Sequence, residues 1–158
     1  MPRSKRQCPP NSIIHALNRS MSGKTLFNSD KDYSAFLKFI SHSQIKSNIR
    51  ICAYCIMPNH WHFALWPEEP RQVSVFIQNL TSKHTQYIKR RIQKPGHIYQ
   101  GRFTSRIVKN EHYLETLLSY IEYNPVKANL VSAPEKWPWS SAWQRAGGKS
   151  EIVLTRPG

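Results

Sequence analysis

Residues 49–66 read IRICAYCIMPNHWHFALW, and this stretch decides the fold. In its first half Ile49, Ile51, Ala53, Cys55 and Met57 alternate with Arg50, Cys52, Tyr54 and Ile56, a period of two that predicts a central strand. Pro58-Asn59 breaks it. A second strand follows at once, with Trp61, Phe63 and Leu65 on one face and His60, His62 and Ala64 on the other. The pair reads as an antiparallel hairpin.

Upstream, IIHALNR (13–19) reads as a first strand and residues 21–28, with Gly23, as a turn. Ser29 followed by Asp32 gives a capping-box-like start. Tyr33, Phe36, Leu37 and Ile40 then mark a helix over about 30–47. Downstream, Val73, Phe76, Ile77, Leu80, His84, Tyr87 and Ile88 form the stripe of a long second helix. Residues 102–109 form another strand, and Asn110 caps a third helix with Leu114, Leu117, Leu118 and Ile121 as its core stripe. Asn124-Pro125 is expected to end that helix. The order predicts an α+β fold with helices packed over an antiparallel sheet. Residues 11–145 read as its single domain, 1–10 as a basic arm with Arg3, Lys5 and Arg6, and 146–158 as a tail.

The 158 residues carry 23 Lys and Arg against 9 Asp and Glu, a formal charge of +14. That balance calls for a polyanion, nucleic acid ahead of an acidic membrane surface. No run approaches the roughly 18 apolar residues of a membrane span, and the first ten residues lack the apolar stretch of a signal peptide. Three cysteines are too few for a disulfide framework, so the chain reads as cytoplasmic. All nine acids lie outside residues 70–110, which hold Arg71, Lys83, Lys89, Arg90, Arg91, Lys94, Arg102, Arg106 and Lys109. Without interleaved acids these cations lack intrahelical partners, which favours phosphate contact over a plain solvated face.

His60 and His62, two apart on a strand, project from one side while Trp61 buries on the other. Such a pair can place two nitrogens on one metal; it also reads as two surface histidines. Cys52 and Cys55 invite a zinc reading with them, but three residues along a regular strand put the thiols on opposite faces. Cys55 reads as a core residue, and Cys52 has no role at this stage. On the third helix, Tyr113, Tyr120 and Asn124 share one edge beside the core stripe, whereas Tyr123 points away. Tyr120 is thus paired i, i+4 with an amide oxygen able to complete a His-His-Asn metal triad. In isolation the same helix reads as one with a boundary tyrosine and an asparagine cap. A tyrosine nucleophile stores a phosphodiester's bond energy in a phosphotyrosine, and a divalent ion beside the phosphate stabilises the developing charge.

MPNHWH (57–62), HIYQGRF (97–103) and YIEYNPVKANLV (120–131) resemble the REP-associated tyrosine transposases, a branch of the HUH single-tyrosine transposases. IIHALNR (13–19), FNSDKDYSAFLKFI (27–40) and WPWSSAW (137–143) extend the resemblance over residues 10–143. It implies a ferredoxin-like domain in which His60, His62 and Asn124 hold Mg²⁺ or Mn²⁺ and Tyr120 is the nucleophile. It further implies cleavage of single-stranded DNA near a hairpin, leaving a 5′-phosphotyrosyl link and a free 3′-hydroxyl, by a monomer or a homodimer. Arg19, Lys83, Lys89, Arg90, Arg91, Arg102 and Arg106 are the expected DNA contacts. Ser20 follows Asn18-Arg19 where the family usually has Gly. Trp137, Trp139 and Trp143 read as core cover rather than as platforms for unpaired bases. The alternatives to a nickase and strand transferase are a non-catalytic nucleic-acid-binding protein and a zinc-stabilised regulatory module.

Overall fold

Strand β1 (Ile14–Arg19) leads to helix α1 (Asp30–Ser47), the hairpin β2 (Arg50–Met57) and β3 (His60–Trp66), helix α2 (Arg71–Arg91), strand β4 (Thr104–Ile107), helix α3 (Glu111–Lys127) and the short α4 (Ser141–Arg145). This computed structural model describes residues 11–92, 96–108 and 111–157. The basic arm, Lys94, Lys109 and the Asn110 cap lie outside the described residues. The four strands form one antiparallel sheet in the order β2-β3-β1-β4. With its β-α-β-β-α-β sequence this is the ferredoxin-like α+β arrangement expected.

Each boundary has a local cause. Ser29 accepts from the Asp32 amide at 3.4 Å to start α1, and Asn48, at φ 59°, ends it in the left-handed conformation. Helices α1 and α2 cover one face of the sheet, where Ile14, Phe36, Ile40, Trp61, Phe63 and Leu80 are buried together. Helix α3 covers the other, where Leu114 and Ile121 pack on Cys52, Cys55, Met57 and Ala64. The sheet therefore lies between two apolar layers.

Strand β2 departs from simple alternation. Ile51 pairs with Leu65 but Ala53 with Ala64, so Cys52 is an extra residue that reverses the parity of the strand. Ile51 accordingly packs with Tyr54 and Ile56 against α1 and α2, not with Ala53. The bulge also overturns the placement of the thiols: Cys52 and Cys55 belong to the same layer, both buried. Burial lifts the Cys52 thiol to about 11 and that of Cys55 higher still, so both behave as small core groups.

Asn124-Pro125 does not end α3. Proline cannot donate to the Ile121 carbonyl, but the Asn124 side-chain amide does at 3.4 Å, and reaches the Tyr120 carbonyl at 3.3 Å. The helix runs on to Lys127 and is closed by Asn129, φ 59°, where Leu130 N–H bonds the Pro125 carbonyl and Asn129 N–H that of Val126.

The free edge of β2 is covered by chain that follows α3. Ile56 donates to the Trp139 carbonyl (2.8 Å), Tyr54 N–H to Ser141 Oγ (3.0 Å), and Thr155 to the Ile51 carbonyl (2.9 Å). The segment expected to be a tail thus packs on the domain and buries Ile152. Trp137 donates to the Ile56 carbonyl at 2.9 Å and Trp139 stacks on Tyr33 at 4.9 Å, as core cover.

Candidate active site

The register of the central strand assembles the site. Leu17 lies opposite His62 and Arg19 opposite His60, while His15 faces Ala64 on β3 and Arg106 on β4. Residues opposite one another share a face, so His15, Arg19, His60, His62 and Arg106 look toward α3. Trp61 points the other way and is fully buried. The two ring centroids of the His-x-His pair are 5.0 Å apart and perpendicular.

Helix α3 brings Tyr120 to this face. Its ring lies 5.8 Å from that of His62 and 6.1 Å from that of His15, both edge-on, and the residue is 44% exposed. Tyr120 meets the histidines of its own chain. Tyr123 is exposed and stacks on neither. The Lys127 ammonium sits 5.4 Å from the Tyr120 ring centre, two turns further along. His15, Arg19, His62, Arg106, Tyr113 and Tyr120 line a cleft of about 710 Å³.

Burial, with the Arg19 charge behind it, holds His60 at about 4. Burial followed by His60, His15 and Arg19 holds His62 at about 3. His15 is held at about 4 by burial and then Arg106. All three imidazoles are therefore neutral at pH 7, the form that binds metals. His60 Nδ1 donates to Asn59 Oδ1 at 2.7 Å, which leaves Nε2 bare. His62 Nδ1 lies 3.0 Å from His15 Nε2.

Among the described residues no group of three or more His, Cys, Asp and Glu side chains is placed to hold a metal. A cation at His60 and His62 would therefore have to draw its remaining donors from other chemistry. Asn124 supplies one type: both of its hydrogen bonds use the amide nitrogen, so Oδ1 accepts none among the described residues.

The acid-free block is divided by the sheet rather than gathered on one surface. Of the block, Arg106 faces the cleft, where it joins Arg19 of β1. Lys83, Lys89, Arg90 and Arg91 ride on α2, in the opposite layer. Lys89 and Arg102 line a second cleft, of about 730 Å³, between α2 and residues 96–103. Arg91 is ion-paired with buried Asp32, which also accepts from Tyr87 at 2.8 Å. An acid distant in sequence thus supplies the partner that the linear block lacked.

Sequence reasoning missed two residues here, His15 and Lys127. His15 sits in a strand whose alternation says nothing of what crosses from the neighbouring strands. Lys127 follows a proline expected to end the helix, and only the continued helix brings it beneath Tyr120.

The fold and its site are thus those of a ferredoxin-like domain whose His-x-His pair faces a helix-borne tyrosine beside a basic cleft. The chain matches the family described as "Transposase IS200 like" over residues 8–124, and it belongs to that family. It is 30% identical over 99 residues to a Haemophilus influenzae protein named "Putative REP-associated tyrosine transposase", a match spanning 56% of each chain. The chain thus spans little more than half the length of that relative. The fold is similar to that of a REP-associated tyrosine transposase solved bound to a REP hairpin, with a TM-score of 0.76 at 19% identity, covering 98% of this chain and 92% of the other. It is also similar to a Deinococcus radiodurans structure described as a "putative transposase", with a TM-score of 0.51 at 13% identity, over 76% and 96% of the two chains.

Proposed function

We propose that this protein is a metal-dependent DNA nickase and strand transferase that acts on single-stranded, hairpin-bearing DNA through a 5′-phosphotyrosine on Tyr120. The observation that carries the reading is the approach of the Tyr120 ring to within 5.8 Å of His62 in an open, basic cleft. The Haemophilus relative and the hairpin-bound structure support DNA as the substrate.

Arg19 and Arg106 hold the phosphates on either side of the scissile bond, and Lys127 stabilises charge gathering on the phenolic oxygen. Tyr120 Oη attacks phosphorus as its proton passes to solvent water, which supplies one in turn to the leaving oxygen. The new O–P bond replaces the P–O3′ bond, and the departing 3′-oxygen takes up a proton. That hydroxyl reverses the step when it, or a second 3′-end, attacks the phosphotyrosine. His60 and His62 through their Nε2 atoms, with Asn124 Oδ1, would hold Mg²⁺ or Mn²⁺, which supplies Lewis acidity at the phosphoryl oxygen when bound.

The test is His60→Ala on a hairpin oligonucleotide with Mn²⁺ or Mg²⁺. It should bind the DNA like the parent yet form covalent adduct at least about 100-fold more slowly. Normal cleavage by this variant contradicts the metal reading. DNA binding without adduct under any divalent ion, in the parent protein, would instead favour a non-catalytic binder.

A further inference from the structure

We propose that His15 is a positioning residue for His62: by accepting the Nδ1–H of His62 on its own Nε2, it keeps the Nε2 lone pair of His62 turned into the cleft. This rests on the reading above that His60 and His62 hold a divalent cation. A neutral imidazole has one N–H and one lone pair, so the 3.0 Å contact admits two arrangements. In one, His62 donates and its Nε2 is bare. In the other, His15 donates, and His62 presents an N–H to the cleft and cannot be a ligand through that atom.

His60 shows which arrangement serves the site. Asn59 Oδ1 takes its Nδ1–H and frees Nε2, the common outer-sphere role of an oxygen acceptor behind a metal-binding histidine. Among the described residues no oxygen plays that part for His62; His15 stands in that place. The imidazole is well held there. It comes from the central strand, paired on both edges, and its ring lies edge to edge with that of His62, centroids 5.2 Å apart and planes within 20°, as an in-plane hydrogen bond requires. It also meets the Tyr120 ring edge-on, 6.1 Å away and nearly perpendicular. One side chain thus orients the ligand and packs against the nucleophile's ring. His15 stands behind the pair, because His15, His60 and His62 do not form a three-donor group.

The experiment is Mn²⁺ titration of the full chain without DNA, followed by the electron paramagnetic resonance of free Mn²⁺, for the parent, His15→Gln, His15→Phe and His62→Ala. Glutamine offers an acceptor oxygen and should keep affinity within about threefold. Phenylalanine keeps a flat ring in that place but offers no acceptor, and should weaken binding by about 10- to 100-fold. A His15→Phe protein that binds Mn²⁺ within twofold of the parent overturns the proposal. Equal binding by the parent and His62→Ala removes the metal reading itself, and this proposal with it, a pattern distinct from a failure at His15 alone. Should His15→Phe not fold, ¹⁵N NMR of the parent protein still decides: His62 must show the Nδ1–H tautomer with an unprotonated Nε2. Finding the proton on Nε2, as direct ligation through Nδ1 would also require, overturns it.

Discussion

Removing one oxygen from Tyr99 should cost more stability than its place in a surface segment implies. Its hydroxyl accepts from Trp61 Nε1 at 3.0 Å and donates to His84 Nδ1 at 2.6 Å. The ring is partly exposed, but the hydroxyl faces inward, and burial raises its pKa well above the ordinary phenol value. The indole N–H can only donate, so the Tyr99 proton must go to His84, whose Nδ1 accepts. In Tyr99→Phe both Trp61 N–H and His84 Nδ1 are left without that partner, at residues 0% and 1% exposed. At about 1–3 kcal/mol for each orphaned group, less what local relaxation recovers, the loss is roughly 3 kcal/mol. For a domain of this size that lowers Tm by roughly 6–12 °C. Urea unfolding followed by tryptophan fluorescence and by circular dichroism measures it. The same segment is tied to β1 through Gln100 N–H to the Arg19 carbonyl and Asn18 to the Gly101 carbonyl, so DNA affinity should fall too. A loss below about 0.5 kcal/mol would refute the reasoning, since it would mean that neither group depends on the hydroxyl.

Acid should weaken the same network. Burial holds His84 at about 3, below its ordinary 6.5, so in that window the unfolded chain binds a proton that the native protein refuses. Stability is whole above about pH 6.5 and falls as pH drops, by at most about 1.4 kcal/mol per pH unit from this histidine. The slope of unfolding free energy between pH 6 and 4.5 should be shallower in His84→Gln; an unchanged slope contradicts the burial argument. Arg19→Ala should weaken single-stranded DNA binding and reduce the slope of log K against log salt by about 0.7, the share of a single phosphate. Arg91→Ala, whose charge already serves Asp32, should leave that slope unaltered and instead cost about 1–2 kcal/mol of stability, its exposure moderating the loss. The reverse assignment in a salt titration would show that the cleft is not where the strand lies.

Features legible in the sequence were those set within one element. The limits of α1, the HWH orientation and the turning of Tyr120 rather than Tyr123 toward the sheet all follow from periods of 3.6 and 2.0, and the structure agrees with each. Features that depend on a partner element were not legible. The bulge at Cys52 is a property of pairing with β3, so local alternation assigned Ile51 and Cys52 to the wrong faces. The continuation of α3 depends on the Asn124 amide replacing a proline's missing donor, which no propensity scale contains. Likewise, a linear run of cations does not reveal that a sheet will pass through it. Only the β1 register shows that Arg19 and Arg106 share a cleft while Arg91 answers Asp32 on the far side. His15 emerged for the same reason, from its position between two neighbouring strands.

The central claim is that Tyr120 carries the DNA. After reaction with hairpin-bearing single-stranded DNA and Mn²⁺, nuclease trimming and trypsin release residues 110–127, NEHYLETLLSYIEYNPVK, which contain Tyr113, Tyr120 and Tyr123. Fragmentation of that peptide should locate a phosphonucleotide remnant on Tyr120 alone, and Tyr120→Phe should abolish it. A remnant on Tyr113 or Tyr123, or an adduct that persists in Tyr120→Phe, would contradict the account.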